Sequence, residues 1–339
     1  MNKKNKTLLL CSILLSLNTI CSAESPMLDQ AYSLALSGDL QASNKLYQKL
    51  LKDSHVPKYE VYFSRCLVDI ARLDTIGSDN YYSLATKELE KTPDNDGILL
   101  EFNYKRAALL INKGEYGKAI MVLTPYVFKQ NASVRMQSDY LDANYRLGNY
   151  QQVIKAAALF WHEDYTNKPL YGIMSVADSL FRLKKYAQAE RVYAIILQSS
   201  PDNFFANLSS AYCLGMLGQD SQALDIYARS YSLHPAATDL ILNEANTLFA
   251  QGKTKLANNI YEMLKTKNPD KKKQINLANA ITLGNNGYIL SSNKLLASLP
   301  DTDSREYWLQ RFTNYMQEEL YANAADVIKK VENTPLHNL

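Results

Sequence analysis

The sequence predicts an all-α chain, built as a continuous array of about eight to nine antiparallel helix pairs. Three observations carry that expectation. First, five residue classes recur at one step of 34 residues: Ala177, Ala211 and Ala245; Leu180, Leu214 and Leu248; Ala189, Ala223 and Ala257; Tyr193, Tyr227 and Tyr261; Pro201, Pro235 and Pro269. Second, residues 171–183 and 186–198 each carry apolar side chains at three- and four-residue spacing, the period of a half-buried helix. Third, only Lys184 and Lys185 separate those two stretches, so the helices must fold back on each other.

The physical logic can be read from one copy. Ala177 and Ala189 are small where two helix backbones approach, and Tyr193, one turn beyond Ala189 on the same face, fills the space toward the next pair. Pro201 has no amide hydrogen to donate and closes one helix or opens the next. A single hairpin cannot bury its apolar face alone, whereas a stack of them can.

Taken in order, the first segment stands apart. Lys3, Lys4 and Lys6 precede an apolar stretch from Leu8 to Ile20, and Cys21-Ser22-Ala23 supplies small residues before Glu24. This reads as a secretory signal peptide over residues 1–23, cleaved after Ala23. Ile20 and Asn18 stand where a lipoprotein signal carries a small residue and a leucine, which argues against acylation of Cys21. The array is then expected over 24–339. Gly38 followed by LQASNKLYQKLL opens a first hairpin, with Tyr47 in the large-residue place. Residues 59–92 are helical but fit the register poorly. Gly114-Glu115-Tyr116 with Ala119, and Gly148-Asn149-Tyr150 with Val153, mark two more. The clearest copies span 171–269, with Gly218 and Gly252 at their turns. Ala280 with Gly287-Tyr288, then Trp308 with Ala324 and Ile328, mark the last two. The inter-helix register is one array with no linker-like or low-complexity break.

These spacings resemble the tetratricopeptide repeat, whose pattern sets Leu and a small residue at positions 7 and 8, Ala at 20, an aromatic at 24 and Pro at 32. Position 8 here is Ala (Ala177, Ala211, Ala245) where the family most often has Gly, and position 4 is Trp only at Trp308. The resemblance implies a right-handed superhelical solenoid that acts as a binding scaffold and not as an enzyme.

Composition excludes some functions. The chain has 37 basic and 34 acidic side chains, and loss of the three leader lysines would leave 34 of each. A neutral array has no global attraction to nucleic acid or to an anionic membrane, so membrane contact is expected to be indirect. Beyond the leader only Cys66 and Cys213 remain, with no metal-ligand spacing, and Cys213 in SSAYCLGMLG reads as a small buried residue. No HExxH, GxSxG or P-loop occurs, no cofactor is implied, and His162-Glu163-Asp164 points three ways along a helix. Asn131 and Asn207 match a glycosylation triplet that is common by chance.

The binding signal is aromatic: the chain has 24 tyrosines. In tetratricopeptide arrays the first helix of each pair lines a concave groove. Carried onto this register, the resemblance places Tyr104, Tyr145, Arg146, Tyr171, Phe181, Arg182, Phe205, Tyr212, Asn246 and Phe249 there. Tyrosine and arginine combine large contact area with a polar handle, which suits a protein partner. The resemblance and the leader together imply an adaptor in a bacterial envelope assembly, holding another envelope protein or peptide segment, with the oligomeric state open. A second expectation is an anionic polysaccharide bound directly, its sugars on the groove aromatics and its carboxylates on a lysine patch over 253–273 that includes Lys265, Lys267, Lys271, Lys272 and Lys273.

Overall fold

The computed structural model describes residues 26–92, 95–299 and 304–333; the leader read over 1–23 lies outside the described residues. Their regular structure is all helical, eighteen α-helices and two short 3₁₀ turns, with no strand among the described residues. Eighteen helices form nine consecutive hairpins. α1 (Pro26–Ser37) pairs with α2 (Leu40–Leu50), α3 (Lys58–Arg72) with α4 (Thr75–Leu89), and α5 (Asp96–Asn112) with α6 (Tyr116–Val127). α7 (Val134–Arg146) precedes α8 (Tyr150–Trp161), and α9 (Leu170–Arg182) precedes α10 (Tyr186–Ser199). α11 (Phe204–Met216) and α12 (Asp220–Leu233), then α13 (Thr238–Ala250) and α14 (Thr254–Lys267), follow the same plan. So do α15 (Lys272–Asn285) with α16 (Ile289–Ala297), and α17 (Arg305–Gln317) with α18 (Tyr321–Asn333).

One contact explains why most pairs close. The twelve-residue offset of the expected Ala177–Ala189 pairing recurs with buried residues in eight of the nine hairpins, small in seven and Leu–Val in α7–α8, while the last sets half-buried Phe312 opposite Ala324. Ala31 faces Ser43, Cys66 faces Ser78, Ala107 faces Ala119 and Leu141 faces Val153, all of them buried. Ala211–Ala223, Ala245–Ala257 and Ala280–Ser292 continue it. Where serine replaces alanine, its hydroxyl is satisfied by the facing backbone: Ser43 donates to the Ala31 carbonyl and Ser292 to that of Ala280, both at 2.7 Å. A buried hydroxyl is tolerated because it is bonded.

The turns obey an equally strict rule. Five residues before each of those second small positions the backbone is left-handed. Glycine supplies that conformation at Gly38, Gly114, Gly148, Gly218, Gly252 and Gly287. Leu73 (φ 64°), Lys184 (φ 58°) and Glu319 (φ 58°) adopt it without glycine's freedom.

The poor register of 59–92 has a simple cause. α3 and α4 form an ordinary hairpin, but Cys66, Ser78 and Leu73 occupy the places of the alanines and the glycine, and longer connections flank it.

The chain divides within α9, after Ser175, into two compact units. In the first, odd-numbered helices pack in succession, α1 on α3, α3 on α5 and α5 on α7. One of its cores gathers Leu28, Ala31, Tyr47, Leu50, Val56 and Val61. In the second, α11 packs on α13, α13 on α15 and α15 on α17. One of its cores runs from Leu208 to Ile275 around the fully buried Tyr227 and Tyr261, and burial of each such ring contributes roughly 2–3 kcal/mol. A second cluster at its end holds Leu296, Tyr307, Trp308, Val327 and Val331. Cys66 and Cys213 are each free and buried, so Cys213 has the small apolar role its sequence indicated. Asn207 is buried as well, its amide donating to the carbonyls of Pro201 (2.8 Å) and Asn203 (2.9 Å), which leaves no exposed amide to glycosylate.

Candidate partner-binding surface

In the first unit, α5, α7 and α9 bring Tyr104 and Tyr171 onto one aspartate that sequence reading missed. The Tyr171 hydroxyl donates to Asp139 Oδ1 at 2.7 Å and lies 3.4 Å from the Arg135 carbonyl oxygen. Burial pushes the Asp139 carboxyl above the usual aspartate range, opposed by the hydrogen bonds from Tyr171 and Tyr104. The Tyr104 and Tyr171 phenols are both pushed up, first by burial and then by the charge of Asp139. Tyr171 nevertheless keeps 39% of its surface exposed, and Arg135 beside it is exposed.

One turn further along α7, Asp142 accepts from Arg146 Nε at 2.8 Å and from Ser175 Oγ at 3.4 Å. Arg146 also lies over the Tyr116 ring, 5.7 Å from its centroid. Tyr145 turns instead toward Tyr150 of its own hairpin, with ring centroids 5.8 Å apart. The surface therefore combines two fixed carboxylates, two exposed guanidinium groups and a half-open tyrosine. Such a set can meet backbone amides and charged side chains at once. Asp139 and Asp142 share a helix face in SDYLDANYR, but nothing local to that stretch shows that tyrosines from the preceding and following hairpins converge on it.

In the second unit the expected groove residues separate. Phe205 is 65% exposed and Arg182 is open to solvent. Tyr212 and Phe249 are not: they are 5% and 4% exposed and belong to the core. Tyr212 packs against Phe181 and Tyr186 with centroids 5.2 and 6.0 Å away, and Phe249 meets Tyr288 edge-on at 5.4 Å. Their expected role at a partner surface is corrected to packing, because aromatic neighbours cover them. Asn246 is likewise committed, accepting from the Tyr261 hydroxyl at 2.7 Å.

The lysines also divide. Lys265 is paired with Glu262 at 2.5 Å and is largely covered. Lys267, Lys272 and Lys273 are exposed, and Lys271 is half-buried at the start of α15. Cations at a helix N-terminus face the positive end of its dipole, an unfavourable placement. Among the described residues no group of three or more His, Cys, Asp or Glu side chains is arranged to hold a metal ion. None of the described helices is long and apolar enough to cross a membrane.

No protein-family model and no curated protein sequence matches the chain. Its likeness to known proteins lies in solved structures. The C-terminal part of a TPR repeat-containing protein from Cytophaga hutchinsonii superposes with a TM-score of 0.52 at 14% identity, covering 73% of this chain and 98% of that one. A tetratricopeptide repeat protein from Parabacteroides merdae gives a TM-score of 0.47 at 15% identity, covering 83% of this chain and 94% of that one. The nine hairpins, their buried small-residue pairs and left-handed turns, and the Cytophaga likeness together show that this chain has the tetratricopeptide-repeat fold.

Proposed function

We propose that the protein is a non-catalytic scaffold of a bacterial cell-envelope assembly, such as a polysaccharide-export, pilus, secretion or outer-membrane biogenesis machine. Its partner is another envelope protein or a peptide segment, held on the face where α5, α7 and α9 meet. The observation that carries this reading is the convergence of Tyr104 and Tyr171 on Asp139 beside exposed Arg135. Hydroxyl donors fix the carboxylate, so a partner meets a preorganised acceptor next to a large aromatic surface. The basic, apolar leader supports the envelope location.

A photoreactive residue replacing Tyr171 tests this in cells, with exposed Gln188 as the control. A discrete protein adduct from position 171 and none from 188 is the expected result. Carbohydrate, or nothing, from position 171 would overturn it. A second reading, an anionic polysaccharide on Lys267, Lys272 and Lys273, is favoured by the exposure of these three lysines on either side of the turn between α14 and α15, where Asp270 is the one acid. Binding of that kind would weaken steeply with salt and on neutralising those lysines, whereas the protein partner should depend only modestly on ionic strength.

A further inference from the structure

A second site lies elsewhere in the first unit. A cleft of about 470 Å³ opens over α3, with α2 on one side and α4 on the other, a volume in the usual range for small-molecule sites. Arg65, Asp69 and Arg72 line it from one face of α3, at successive turns. Opposite charges four residues apart on a helix ordinarily pair. Arg65 and Asp69 form no ion pair, because Arg65 is held elsewhere. Its guanidinium lies 4.2 Å from the Tyr81 ring centroid and 5.5 Å from that of Tyr47, and Nη2 donates to Asn44 Oδ1 at 3.3 Å. All three holders are neutral, so the cation is fixed in place without being neutralised.

The other end of the cleft carries the opposite charge. α4 runs antiparallel to α3 and sets Gly77 beside Asp69. A Cβ on Gly77 would lie 2.4 Å from Asp69 Oδ2 and 2.8 Å from Asp74 Oδ2, so a larger residue there would force the two carboxylates to shift from the point they share. Asp74 spends its other oxygen on capping α4, accepting from Gly77 N at 2.9 Å. Asp69 is half-buried and, among the described residues, has no cation within ion-pair distance; burial and then the Asp74 charge push its carboxyl above the usual range. Exposed Arg72 lies beyond it and, among the described residues, likewise forms no ion pair. The cleft thus holds a cationic end at Arg65 and an anionic end at Asp69 and Asp74, about one helical turn, ~6 Å, apart. An anion alone meets the aspartates and a cation alone meets the arginine. A ligand carrying both charges at that separation satisfies both ends.

We propose that this cleft binds a zwitterionic ligand of dipeptide size, its carboxylate on Arg65 and its ammonium between Asp69 and Asp74. The probe is L-alanyl-L-alanine, titrated calorimetrically into the purified full chain alongside its N-acetylated and C-amidated forms. Saturable binding is expected, weakened by about tenfold or more by either cap and by Asp69→Asn, since each removes a charge-assisted hydrogen bond. Gly77→Ala should weaken it comparably by driving the two carboxylates apart. Asp69→Asn preserves shape, and its helical circular dichroism and thermal transition confirm folding; if Gly77→Ala unfolds, Asp69→Asn and the capped peptides decide. Absence of heat up to about 10 mM peptide, equal binding of a capped form, or undiminished binding by a folded Asp69→Asn protein would each overturn the proposal.

Discussion

Tyr193, Tyr227 and Tyr261 share one register position and are fully buried, yet their hydroxyls have different fates. Fifteen residues earlier, on the partner helix, stand Asp178, Tyr212 and Asn246. Tyr193 donates to Asp178 Oδ1 at 2.5 Å and Tyr261 to Asn246 Oδ1 at 2.7 Å. Tyr212 instead turns its ring toward Phe181 and Tyr186, and the Tyr227 hydroxyl is left without a hydrogen-bond partner among the described residues. A buried donor left unbonded costs about 1–3 kcal/mol, whereas a bond to a carboxylate contributes about 1.5–3 kcal/mol. Tyr227→Phe is therefore expected to raise stability by about 1 kcal/mol and Tyr193→Phe to lower it by about 2 kcal/mol. The assay is urea unfolding followed by circular dichroism, comparing midpoints at unchanged slope, so that one cooperative transition is compared throughout. The order Tyr227→Phe, wild type, Tyr193→Phe supports the reasoning. If Tyr227→Phe costs as much as Tyr193→Phe, the Tyr227 hydroxyl is bonded and the argument from position 212 is refuted.

Two further outcomes follow from single positions. Burial raises the Glu244 carboxyl to about 7; the folded state then holds the proton more tightly than the unfolded chain. This contribution to stability is fully present below about pH 4.5 and declines as pH rises toward 7, by up to about 3 kcal/mol. Glu244→Gln should flatten that slope in urea midpoints between about pH 4.5 and 8; a variant that tracks the wild type at every pH would show that the carboxyl titrates normally. Lys184 takes the left-handed turn conformation that glycine supplies in six other hairpins, so Lys184→Gly should gain about 0.5–1 kcal/mol and Gly218→Lys lose a similar amount. Thermal midpoints check both signs, and a loss of stability in Lys184→Gly would contradict the strain argument.

Much of the fold is legible from residue identity because the array repeats one contact. Ala177 and Ala189, copied at a fixed step, announce a hairpin; the buried tyrosine one turn on announces its neighbour. The α3–α4 hairpin is less legible because Cys66 and Ser78 provide the same small contact with different atoms, and Leu73 turns the chain in the place glycine takes elsewhere. The binding surface was less legible for a different reason. Register states which helix a side chain sits on, but exposure depends on what the next hairpin lays over it. Tyr171 and Tyr212 both lie on the first helix of a hairpin, but Tyr171, at the second residue of α9, is 39% exposed, and Tyr212, at the ninth residue of α11, is sealed by Phe181 and Tyr186. Asp139 became visible only when Tyr104 and Tyr171, from flanking hairpins, were brought onto it.

In an array whose hairpins solve the same packing problem nine times, a bond made in sister hairpins and forgone in one is informative. Tyr212 forgoes accepting the Tyr227 hydroxyl, but the aromatic cluster it joins accounts for that choice by packing alone. Arg65 is different. It forgoes an available pairing with Asp69 for three neutral neighbours, and Gly77 meanwhile gives up helix propensity, worth about 1 kcal/mol against alanine, in a place where its missing Cβ lets two carboxylates meet. Neither choice improves the core, since both lie at the open cleft. Two unfavourable arrangements set one turn apart, and of opposite charge, are jointly relieved by a single ligand bearing both charges, which is why the α3 cleft points to recognition and the Tyr212 cluster to packing.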